Sequence, residues 1–153
     1  MNVGKSENQL LPQEVSSEEV VLGCLLLVGV GDEQGKEWVD PVYTILSPRD
    51  FYRARNGWIF EACISLRQRG AGLDQVLVGS ELSHRGRLED VGGPAYLSYL
   101  VSRVSTPFHA KFHAERVKDA ATRREIIEQA GQQAGAAWSG KPLTKPDTTI
   151  FDL

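Results

Sequence analysis

The sequence predicts an all-α fold: a compact bundle of about five or six helices followed by a C-terminal antiparallel helical hairpin. Three observations carry this. Apolar residues recur at helical spacing through Val20, Val21, Cys24, Leu25, Leu27 and Val28, and again through Tyr96, Leu97, Leu100, Val101 and Val104. Residues that start and stop helices bracket most of the apolar runs. Val76-Leu77-Val78 is too short to insist on as a strand, and no alternating run elsewhere could pair with it. At 153 residues and 41% hydrophobic content, the chain has the length of one domain and enough apolar side chains for a core.

Residues 1–13 are polar around one Leu-Leu-Pro and read as a flexible arm. Ser16 with Glu19 three residues later forms a capping-box pattern, which starts the first helix. Leu22 and Leu26 widen its apolar face until the helix is apolar nearly all round, the mark of a central helix. Gly29 to Gly35 then reads as a glycine-rich polar loop. A short helix follows, either carrying Trp38 ahead of Pro41 or, favoured here, beginning with Asp40 as cap and Pro41 as first residue. Ser47-Pro48-Arg49-Asp50 is a helix start: a hydroxyl to cap, a proline with no amide to lose, and an acid in the first turn. A longer helix spans about Arg53 to Arg69 and closes at Gly70. Asp74 caps the next, with Val76, Leu77 and Leu82 expected to face inward and Gly86 as its end. Pro94 opens a helix after Gly92-Gly93, and a break at Ser105-Thr106-Pro107 leads to the longest one, Phe108 to Trp138. Its apolar stripe, Val117, Ala120, Ala121, Ile127 and Ala134, is thin and alanine-rich. The short connection makes residues 94–138 an antiparallel hairpin attached to a body of residues 14–93, with 139–153 as linker or tail.

The composition excludes several classes. A net charge of −3 gives no general attraction to phosphate, and Arg116, Lys118, Arg123 and Arg124 are interleaved with Glu115, Asp119, Glu125 and Glu128. That pattern is a solvated, ion-paired helix face, so direct nucleic-acid binding is not expected. Cys24 and Cys63 sit inside apolar helical runs and read as small buried hydrophobes of a reducing cytosol. Val20 to Val30 is apolar or glycine but far short of the roughly 20 residues of a membrane span. It also lacks the placement and flanks of a signal peptide. Val30 to Glu37 has the outline of a phosphate-binding loop, but valine and glutamate stand where the motif needs glycine and a hydroxyl. It reads as a plain surface loop. His109 and His113 are one helical turn apart, yet no acidic residue or cysteine pair joins them as further metal ligands. No nucleophile has a base partner and no carboxylate pair is placed for acid–base work. The expectation is a chain with no catalytic residue, cofactor or metal.

The aromatics divide into two sets. Phe51, Tyr52, Trp58 and Phe60 read as core. Tyr96, Tyr99, Phe108 and Phe112 lie on the hairpin, which is too thin to bury them alone. Either it folds back on the body or it packs on a second copy, and the second copy is favoured because large apolar patches mark interfaces.

Leu11 to about Ile127 resembles the N-terminal domain of DnaB-type replicative DNA helicases. The matching pieces stand in order: Leu11-Pro12, Glu18-Glu19, Val21 to Leu26, Ile45 to Tyr52, and Ile59-Phe60-Glu61-Ala62. Asp74, Glu81-Leu82, Arg85 to Leu88, Val91-Gly92-Gly93, Ala95-Tyr96-Leu97, Arg116-Val117 and Arg123-Arg124 follow. Cys24, where alanine is usual, the glycine-rich first loop and Gly57 inside a helix are departures. The resemblance implies a non-catalytic collar domain that pairs through its hairpin, three pairs forming a collar above a hexameric motor. It also implies a cytoplasmic setting, with primase, and in some systems a helicase loader, as partner. Tyr96, Leu97, Leu100 and Val101 on the first hairpin helix, with Phe108, Phe112, Val117 and Ala121 on the second, are the implied contacts. The family's ATP site and DNA-translocating loops belong to a later domain, and residues 149–153 would begin the helical part of the linker to it. A free-standing phage- or plasmid-type regulator or loader that mimics the collar is the alternative.

Overall fold

The computed structural model describes residues 10–29 and 31–142. Among them it contains seven α-helices, one 3-10 turn and no strand, which bears out the all-α class. The helices are α1 (Val15–Leu27), α2 (Glu33–Ile45), α3 (Ala54–Gln68), α4 (Gln75–His84), α5 (Leu88–Val91), α6 (Gly93–Ser102) and α7 (Ala110–Ser139), with the 3-10 turn at Pro48–Asp50 between α2 and α3.

α1 is the axis of the bundle, as its all-round apolar character requires. Val21, Leu22, Cys24 and Leu25 are fully buried, and α2, α3, α6 and α7 all pack on it. α7 runs antiparallel to α1. The Cys24 thiol reaches the Thr106 carbonyl, Ser17 Oγ meets His113 Nδ1 at 3.0 Å, Arg116 pairs with Glu14, and Arg124 donates to the Pro12 carbonyl. α6 crosses α1 at Gly23, so closely that a Cβ there would collide with the Leu100 carbonyl oxygen. Gly57 in α3 has the same use, since a Cβ would meet the carbonyl of Pro48. What looks like a helix defect in the sequence is a contact between backbones.

The caps of α3 and α4 follow the expected chemistry. Asp74 Oδ1 accepts the Leu77 amide at 2.8 Å, and Gly70 and Gly86 take the left-handed conformation that ends each helix. At the 3-10 turn, Asp50 Oδ2 accepts both the amide (2.8 Å) and the hydroxyl (3.2 Å) of Ser47. At its N-terminus α3 has no side-chain cap of its own. Glu18, reaching across from α1, accepts the amides of Tyr52 (2.8 Å) and Arg53 (3.3 Å) and the side-chain amide of Asn56.

Several expectations are corrected. α1 begins at Val15 without a capping box, because Ser16 accepts from Arg103 and Glu19 binds Arg103 and the Tyr99 hydroxyl. These two residues tie α1 to α6 instead of closing their own first turn. α2 begins at Glu33, inside the expected loop, with Asp32 Oδ1 accepting the Gly35 amide at 2.8 Å. Pro41 lies within this helix: its ring removes one backbone donor, and burial of Val39 and Val42 on either side holds the turn. α4 turns Val78, Glu81 and Leu82 inward, whereas Val76 is 74% exposed and Leu77 partly so. α5, a single turn, was not foreseen. The last two helices follow one another as expected, but each packs on α1 and they barely touch each other. Of the expected arm only residues 10–13 are described, and of the tail only 139–142; the proposed start of a linker helix at 149–153 lies outside the described residues.

Candidate interaction surface

The eight residues singled out on α6 and α7 separate by burial. Tyr96, Leu97, Leu100 and Val117 are inside this chain's own core. Within the chain, α1 and α4 cover α6, and α1, α2 and the 3-10 turn cover the start of α7. Val101 and Ala121 are half-buried. Phe108, in the turn just before α7, and Phe112, in α7's first turn, stay open, at 52% and 54% exposure. The aromatic core set is nearer expectation, with Phe51 and Phe60 buried and Tyr52 and Trp58 partly so.

Tyr96 is held by polar contacts as well as packing. Its hydroxyl donates to Asn56 Oδ1 at 2.6 Å, and the Arg55 guanidinium lies 3.8 Å above its ring. Burial raises its pKa, and the nearby Arg55 charge only partly opposes this. Glu18, Asn56 and Tyr96 thus join α1, α3 and α6 through one buried network. α7 is fastened to the 3-10 turn by Lys118, whose Nζ lies 3.2 Å from Asp50 Oδ2, and by Arg124, which donates to the Asp50 carbonyl at 2.7 Å. With Arg116 paired to Glu14, three members of the basic group are used between elements of the domain, and Arg123 pairs with Asp119 one turn away.

Sequence reasoning missed Trp38 as a surface residue. Its ring lies 4.5 Å from that of Phe108, centroid to centroid, so α2 and the turn leading into α7 present an aromatic pair, with Phe112 further along, in α7's first turn. The signal was present, since a tryptophan on a helix anchored by Val39 and Val42 must point elsewhere. It was lost when that helix was started at Asp40. Beyond Ala120 no residue of α7 is buried, and its far half, with Ile127 and the 92% exposed Trp138, stands clear of the bundle.

The reactive possibilities are placed just as plainly. Burial pushes the Cys24 thiol up to about 11 and the Cys63 thiol to about 12, which suits packing and not nucleophilic chemistry. His113 is turned into the α1–α7 seam, and His109 stands edge-on to Phe108. Among the described residues no three His, Cys, Asp or Glu side chains gather as a metal cluster, and no helix is long and apolar enough to cross a membrane.

Such a chain is an all-helical module whose polar side chains largely lock helices together and whose open rings, Trp38, Tyr99, Phe108, Phe112 and Trp138, lie on α2, α6, α7 and the turn that leads into α7. It belongs to the DnaB-like helicase N-terminal domain family, whose pattern matches residues 10–119. It is 34% identical over 119 residues to the replicative DNA helicase DnaB of Geobacillus stearothermophilus, covering 78% of this chain and 25% of that protein. It is 32% identical over 151 residues to the replicative DNA helicase DnaC of Bacillus subtilis strain 168, covering 95% of this chain and 32% of that protein. The chain thus spans about a quarter to a third of these relatives. The N-terminal domain of DnaB helicase from Mycobacterium tuberculosis superposes with a TM-score of 0.78 at 30% identity, over 94% of each chain. The corresponding domain from Helicobacter pylori, described together with its interactions with primase, shares the fold at a TM-score of 0.62 and 19% identity, over 80% of this chain and 89% of that one.

Proposed function

We propose that this chain is the non-catalytic collar part of an ATP-dependent replicative DNA helicase, working in the cytoplasm, where it mediates self-association and docks a primase or a helicase loader. The observation that carries the reading is family membership across residues 10–119, a span in which all seven α-helices of the described residues begin. The exposed rings of Phe108 and Phe112, with Trp38 beside Phe108, and the half-buried Val101 and Ala121 are the contacts proposed here. Large apolar side chains left open together mark interaction surfaces in soluble domains. The buried members of the original set, Tyr96, Leu97, Leu100 and Val117, serve by fixing the helices that carry that surface. Catalysis belongs to the motor, and the isolated chain is expected to turn over no ATP.

The experiment is a pull-down of a cognate primase C-terminal domain on this immobilised chain, with a Phe108→Ser/Phe112→Ser double variant alongside. Retention by the natural chain and loss by the variant is the expected result. Equal retention by both moves the docking site elsewhere. No retention by either, with the chain folded by circular dichroism, overturns primase docking.

A further inference from the structure

We draw no further inference here: the strongest candidate, the apolar groove between α4 and α6 lined by Val76, Gly79, Leu88, Pro94 and Leu97, is an unpartnered face, and nothing in the structure shows what covers it.

Discussion

A carboxylate buried to 1% exposure destabilises a fold unless donors meet it, and three meet Glu18. The two backbone amides belong to the N-cap residue of α3 and the residue before it, so a side chain of α1 pins the chain where α3 begins. Tyr43 is the opposite case. Its ring packs on Phe60 and lies under Arg67, but its hydroxyl is buried with no partner among the described residues, and burial drives its pKa up steeply. An unmet buried hydroxyl costs about 1–3 kcal/mol relative to hydration. Tyr43→Phe should therefore leave stability unchanged or raise it by about 1 kcal/mol, read from urea unfolding midpoints. A loss of more than about 1 kcal/mol would mean that the hydroxyl has a partner after all. Glu81 responds to pH. Hydrogen bonds from Arg85 and Arg69 hold its carboxyl down at about 2, and the Arg69 bond ties the end of α3 to α4. The folded-state value lies below the unfolded one, so this stabilisation is complete above the ordinary carboxylate value of 4.5 and fades as pH falls towards 2. Glu81→Gln should flatten that part of the stability-against-pH curve while costing about 1 kcal/mol at neutral pH, since both arginines are partly solvated. An unchanged acid slope would remove Glu81 from the account.

Between elements, the glycines separate close packing from idle flexibility. Gly23→Ala pushes α6 away from α1 at their crossing, against a backbone carbonyl that cannot swing aside as a side chain does. A loss of about 2 kcal/mol or more is expected. Gly131 and Gly135, on the outer half of α7, have open space where a Cβ would stand and no positive φ. Alanine at each should add about 0.5–1 kcal/mol to helix stability. Paired thermal melts of G23A and G131A/G135A check both signs, and a stable G23A would mean the crossing is looser than described. The same contrast explains what was legible in the sequence. α3 and α4 were readable because their stops, Gly70 and Gly86, act locally, and Asp74 caps within one turn. The start of α2 was not, because Asp32 sits among glycines and Pro41 reads as a boundary, whereas tertiary burial of Val39 and Val42 decides. The α1 capping box failed for a related reason: Ser16 and Glu19 have the right spacing, but Arg103 and Tyr99 from α6 compete for both. The inward face of α4 was misjudged because three adjacent apolar residues fit a helix in more than one rotation, and Leu82 packs with Val78, one turn before it.

For the whole molecule, the open question is where α7 finds its partners. A helix of 30 residues, about 45 Å long at the helical rise, is buried only through Ala110, Ala114, Val117 and Ala120. Its first half belongs to the core; its second half gains nothing from this chain's core, and isolated helices of that length are marginal in water. The sequence anticipated a thin, alanine-lined helix needing company and misplaced where the company is lacking, because it paired α7 with α6 instead of α1. Its set of eight contacts therefore mixed core with surface, and the two kinds should behave differently when altered. Leu100→Ala opens a cavity under α1 and should cost about 2–5 kcal/mol in unfolding free energy. Phe108→Ser with Phe112→Ser removes rings that are half in water and should change stability little. If those rings seat on a second copy, sedimentation velocity of the natural chain at high concentration should show association, and the double variant should shift towards monomer with its melting temperature nearly unchanged. A strict monomer in the natural chain would sink self-association by the isolated domain, leaving primase docking to stand on its own pull-down. Association undiminished in the double variant would move the contact to the far half of α7, where Trp138→Ser is then the decisive substitution.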